Sequence, residues 1–93
     1  DGNSVHEMKG MVFAQLVFNK DSGTIPSGTT TLGTLKSAYY PANVVNYACF
    51  LGPDEYNVTG VGQCYITTAG AVMIKNPLTG ITCCKLCLTY CKS

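Results

Sequence analysis

Three observations on the 93-residue sequence predict an all-β fold. Short runs of β-branched and aromatic residues recur at even spacing. Clusters of Gly, Pro, Asn, Asp and Ser separate them, and no stretch sustains a helical apolar period. Together they predict an antiparallel β-sandwich or jelly-roll-like domain.

The elements follow in order. Residues 1–10 are polar, with Gly2 and Gly10 bracketing a short mixed stretch, and read as a linker or N-terminal arm. Residues 11–93 read as a single β-sandwich domain with a cysteine-rich last strand. The run Met11-Val12-Phe13-Ala14-Gln15-Leu16-Val17-Phe18 is apolar on both faces, which suits a strand covered on both sides or a short buried helix. The run Asn19-Lys20-Asp21-Ser22-Gly23 closes it with turn chemistry. Ile25-Pro26-Ser27-Gly28 reads as a turn, and 29–35 as an edge-like strand rich in Thr. Residues 44–51 alternate cleanly: Val45, Tyr47, Cys49 and Leu51 share one face, and Val44, Asn46, Ala48 and Phe50 the other. Gly52-Pro53 breaks this strand. Residues 61–67 and 71–75 predict a hairpin joined through Thr68-Ala69-Gly70. After the loop Asn76-Pro77-Leu78-Thr79-Gly80, residues 81–90 read as the last strand.

Composition narrows the function classes. A 46% apolar content against 12% charged residues excludes intrinsic disorder and exceeds what one small domain hides alone, which predicts an oligomer. The six cationic residues are all lysines, scattered singly. Without arginine, the preferred fork for phosphate and guanine, nucleic acid is not an expected partner. No apolar run approaches the ~20 residues of a spanning helix, so membrane insertion is not expected either. The opening Asp1-Gly2-Asn3-Ser4 carries neither a start methionine nor a signal pattern, as expected of a piece of a longer or processed protein.

Four of the six cysteines, Cys83, Cys84, Cys87 and Cys91, crowd the last strand. A disulfide staple, a soft-metal site and packed thiols are the three physical readings. On one straight strand Cys83 and Cys87 stand ~13 Å apart, too far to share a zinc ion or a disulfide. Cys84 and Cys87 have the two-residue gap of a zinc knuckle and are the metal candidates, but a second such pair is missing and His6 is the only imidazole. No cofactor is expected. Cys49 and Cys64 sit mid-strand as packed thiols, or as a cross-strand disulfide if their strands are neighbours.

Catalysis has few candidates. The single histidine lies in the arm, so a Cys or Ser nucleophile lacks a held base, and Asp54-Glu55 reads as a solvated loop pair. The chain is not expected to be an enzyme. Tyr39, Tyr40 and Tyr56 fall in predicted loops, where a ring with a polar tip suits sugar or protein contact; the alternative is that they cover seams between loops and core. Asn57-Val58-Thr59 matches the short glycosylation triplet.

The succession of the 13–18 strand, Ile25-Pro26-Ser27-Gly28-Thr29-Thr30, Thr34-Leu35, Tyr40-Pro41-Ala42-Asn43-Val44 and Val61-Gly62-Gln63-Cys64-Tyr65-Ile66-Thr67-Thr68-Ala69-Gly70-Ala71-Val72 resembles the head domains that end bacteriophage tail fibres and baseplate proteins. The likeness spans residues 11–82 and rests on strand and turn order. It implies a homotrimer at a virion tail tip that attaches to a host-surface saccharide or protein. The cysteine tail departs from the polar or Gly-rich last strand of such heads. A secreted disulfide-stapled module and a small metal-stabilised domain are the alternative expectations.

Overall fold

The computed structural model describes residues 4–20, 23–54 and 56–93. Seven strands carry the fold: β1 (Ser4–Met8), β2 (Met11–Asn19), β3 (Gly28–Thr34), β4 (Val45–Gly52), β5 (Gly60–Ile66), β6 (Ala71–Asn76) and β7 (Cys83–Cys91). One 3-10 turn, Ser37–Tyr39, lies between β3 and β4. All pairings are antiparallel and the spatial order is β1-β2-β7-β4-β5-β6-β3. The all-β class is therefore as expected.

The strands are hydrogen-bonded into one sheet rather than two, and the reason lies at β7. It pairs with β2 along nine positions, from Met11↔Cys91 to Asn19↔Cys83, but with β4 at only three: Phe50↔Lys85, Leu51↔Cys84 and Gly52↔Cys83. Beyond this short seam β4 and β7 diverge. The sheet thus curls into two lobes, β1-β2-β7 and β4-β5-β6-β3, around one apolar cluster. Val12, Ala14 and Leu16 from β2, Cys84, Leu86, Leu88 and Tyr90 from β7, and Cys49, Leu51, Cys64, Ile66, Val72 and Ile74 from the other lobe all belong to it. The Tyr47 hydroxyl spans the opening between the lobes and donates to the Thr89 carbonyl.

Two details depart from the sequence reading. Residues 4–8, expected as part of an arm, form the edge strand β1; residues 1–3 lie outside the described residues. β1 is built by a two-residue hairpin, Met8-Lys9-Gly10-Met11, in which Lys9 and Gly10 both have positive φ (53° and 83°), the geometry that matches the twist of the flanking strands. The β2 run is a strand with one covered face only: Val12 is fully buried, while Phe13 keeps 45% of its surface exposed.

The predicted edge strand is β3, which pairs with β6 alone and carries a register shift between Thr31 and Gly33, a bulge of the kind that blunts an edge. Asn76 is the buried polar residue that ties the loop before β3 to the end of β6. Its Nδ2 donates to the carbonyls of Ile25 and Pro26, and its Oδ1 accepts from the Leu78 N–H, so the amide is used from both ends.

Candidate functional site

Alternation along β4, β5 and β6 sends one set of side chains inward and the other onto the outer face. Register then lines the outward set into rows. Ala48 faces Gln63, Gln63 faces Lys75, and Lys75 faces Thr29, giving one continuous row across four strands. Beside it runs the row Asn46–Tyr65–Met73, and on the other side Val61 faces Phe50. Ala48 is short, so the surface sinks between its taller neighbours Val61, Gln63 and Asn46. The resulting open depression holds about 760 Å³ and is lined by Thr29, Asn46, Ala48, Val61, Gln63 and Lys75, with Gly28 and Pro77 at one end.

Its chemistry is mixed in a particular way. The Gln63 Nε2 donates to Asn46 Oδ1 at 3.0 Å, which orients both amides and leaves the Gln63 carbonyl and the Asn46 amino group to face outward. Lys75 Nζ stands 5.8 Å from the Tyr65 ring centroid, a cation–π contact that holds the ammonium over the sheet. No carboxylate among the described residues partners it. Thr29 adds a hydroxyl and Val61, about half exposed, an apolar wall. Donors, acceptors and one apolar wall within one depression are what a polyhydroxylated ligand needs. Among the described residues, neither a carboxylate nor a histidine lines the depression.

The three tyrosines singled out from sequence are not brought together. Tyr39 packs against the core and its carbonyl accepts the Tyr90 hydroxyl at 2.7 Å. The Tyr40 ring covers Gly70 so closely that a Cβ there would lie 2.5 Å from it. The Tyr40 ring therefore serves the seam between the 3-10 turn and the β5–β6 hairpin, and the Tyr39 ring the core. Tyr56 is 85% exposed and lies in the loop after β4, whereas Tyr39 and Tyr40 precede that strand. The eight residues of β4 separate them by roughly 25 Å. The loop around Tyr56 is fixed by Asp54, whose carboxylate accepts from the Tyr56 and Asn57 N–H groups and from the Asn57 amide. These bonds, led by that from the Asn57 side chain, hold the Asp54 carboxyl below its usual range.

The cysteines divide by face. Cys84 is fully buried and Cys87 exposed, so the pair with zinc-knuckle spacing points to opposite sides of β7. Among the described residues no cluster of three or more His, Cys, Asp or Glu side chains is placed to hold a metal ion. Cys91, also on the outer face, has its Sγ 3.5 Å from Met11 Sδ. Cys83, an even number of residues from Cys87 and Cys91, is nevertheless buried, because it begins the strand between Asn19 and Gly52. Inside, Cys49, Cys64 and Cys84 occupy neighbouring places on β4, β5 and β7.

Asn46, Gln63 and Lys75 were the residues that sequence reading passed over. Each stood visibly at an outward position of its own strand, and the register that aligns them was the missing information. No protein-family model matches this chain, and no curated protein matches it at a significant level.

Proposed function

We propose that this chain is a non-catalytic attachment module, the trimeric head of a phage tail or tail-like particle, and that it holds a host-surface saccharide in the outer depression of β4, β5 and β6. The observation that carries the saccharide reading is the row Ala48–Gln63–Lys75–Thr29 with the coupled Asn46 amide beside it. Oriented amides, an ammonium and a hydroxyl offer alternating donors and acceptors to sugar hydroxyls, while Val61 can cover an apolar sugar face. An open depression on a rigid sheet suits modest single-site affinity, which a homotrimer repeated on one particle multiplies.

The phage assignment rests on the strand and turn order of residues 11–82. The trimer is supported by the apolar side chains left on the outside away from the depression, Phe13 and Phe50, each about half exposed in the single chain. Subunit packing against the β1-β2-β7 lobe would cover Phe13 and leave the depression on the other lobe open.

A bacterial-polysaccharide array probed with the folded chain tests the reading. We expect saccharide binding that falls at least tenfold in Gln63→Ala and Lys75→Ala with Tm unchanged. A blank array together with absent binding to bacterial cells overturns it.

A further inference from the structure

Three core thiols line up across three neighbouring strands, and none of them takes part in the outer depression. Cys84 on β7 is the ladder partner of Leu51 on β4, and Cys49 stands two residues before Leu51 on the same face. Cys49 and Cys84 are thus diagonal neighbours across the three-pair seam that joins the two lobes, and each thiol perturbs the titration of the other. On its other side Cys49 faces Gly62, whose missing side chain leaves room for the Cys49 sulfur; a Cβ at Gly62 would lie 3.2 Å from it. Cys64 is the ladder partner of Tyr47, one diagonal step further away. All three are fully buried.

We propose that Cys49 and Cys84 form an intramolecular disulfide that staples β4 to β7 when the chain folds in the presence of a low-molecular-weight disulfide such as oxidised glutathione. The Cys49 thiolate attacks one glutathione sulfur, and the glutathione S–S bond breaks to release one glutathione thiolate, which takes up a proton. The Cys84 thiolate then attacks the Cys49 sulfur of the mixed disulfide and expels the second glutathione. The chain loses two hydrogens and two electrons, and one glutathione disulfide becomes two thiols. Because both sulfurs are buried, exchange proceeds during folding or through opening of the seam, and the finished bridge is shielded from reductant.

The seam is also where a link changes most. Three ladder pairs hold the lobes together there, and a bridge between positions 49 and 84 closes a long loop in the unfolded chain.

The full chain is refolded with oxidised and reduced glutathione, its remaining thiols are alkylated under denaturing conditions, and the protein is mapped by fragmentation mass spectrometry. Expected are a loss of two hydrogens, four alkylated cysteines, a Cys49–Cys84 cross-link, and a Tm about 10 °C above that of the fully reduced chain. The bridge persists in Cys64→Ala and Cys83→Ala and disappears in Cys49→Ala. Six alkylated cysteines in the refolded wild-type chain overturn the proposal, as does a cross-link joining any other pair. Both outcomes are read on the wild-type protein, so neither depends on whether a variant folds.

Discussion

At Gly62 the space that a methyl group needs is already filled. A Cβ would lie 2.7 Å from the Lys75 carbonyl oxygen, 3.0 Å from Leu51 Cδ1 and 3.2 Å from Cys49 Sγ. The first of these is backbone and cannot swing aside. Gly62→Ala is therefore expected to destabilise the domain by about 1–3 kcal/mol, the usual scale of overpacking, measured by urea unfolding. An unchanged midpoint would show that β5 and β6 can part at no cost. Asn76 makes a complementary case. Replacing it by Leu leaves the Ile25 and Pro26 carbonyls and the Leu78 N–H without their partner, and about 2–3 kcal/mol should be lost. Neither role was visible in the sequence. Gly62 read as an ordinary strand residue and Asn76 as part of a loop, because both roles depend on which backbone lies across from them. The inward set of β4, in contrast, was legible: Cys49 and Leu51 are fully buried, and Val45 and Tyr47 pack against the core.

At the scale of elements, six of the seven strands were predicted within one or two residues of where they lie, since alternation and turn residues are local signals. β1 was missed because Ser4-Val5-His6-Glu7-Met8 is polar and lies at an edge, where a strand can form by pairing with β2 alone. The signal that could have found it was the two-residue Lys9-Gly10 connection, a hairpin length with Gly at a positive-φ position. Pairing order was not legible: the seam between β7 and β4 joins residues more than 30 positions apart. Past that seam the Tyr47 hydroxyl replaces the ladder by bonding to the Thr89 carbonyl. Tyr47→Phe should cost about 1 kcal/mol and speed hydrogen exchange along the second half of β7. If exchange there is unaltered, the lobes are held together by core packing alone.

Across the whole molecule, the balance between inside and outside predicts how it responds to pH. Burial raises the Tyr90 hydroxyl to about 12 and the Cys64 thiol to about 12, and the Cys84 thiol is held up by its hydrogen bond to Cys49 and by burial. Cys49, lowered by the same hydrogen bond, works in the opposite direction. In the unfolded chain thiols ionise near 8.5 and tyrosine near 10. Above those values the folded state holds more protons than the unfolded one, so stability falls as pH rises. Tm should be flat around neutrality and drop from about pH 9 upward, each such group contributing at most about 1.4 kcal/mol per pH unit. A reduced chain whose Tm is unchanged at pH 10.5 would mean that these groups are not held neutral. The outward apolar residues make a second prediction at this scale: native mass spectrometry should show three chains, and a strictly monomeric protein would remove the trimer from the proposal. The outer depression itself was only half legible. Its residue types stood in the sequence, but Asn46, Gln63 and Lys75 become neighbours only through the register of three strands.

The most direct measurement of the saccharide reading is a backbone amide NMR titration with the strongest-binding polysaccharide fragment from the array. Expected are shifts confined to Asn46, Ala48, Gln63 and Lys75 and the strand residues flanking them. Shifts centred on the Tyr56 loop, or on the Phe13 and Cys87 face of the other lobe, would contradict it.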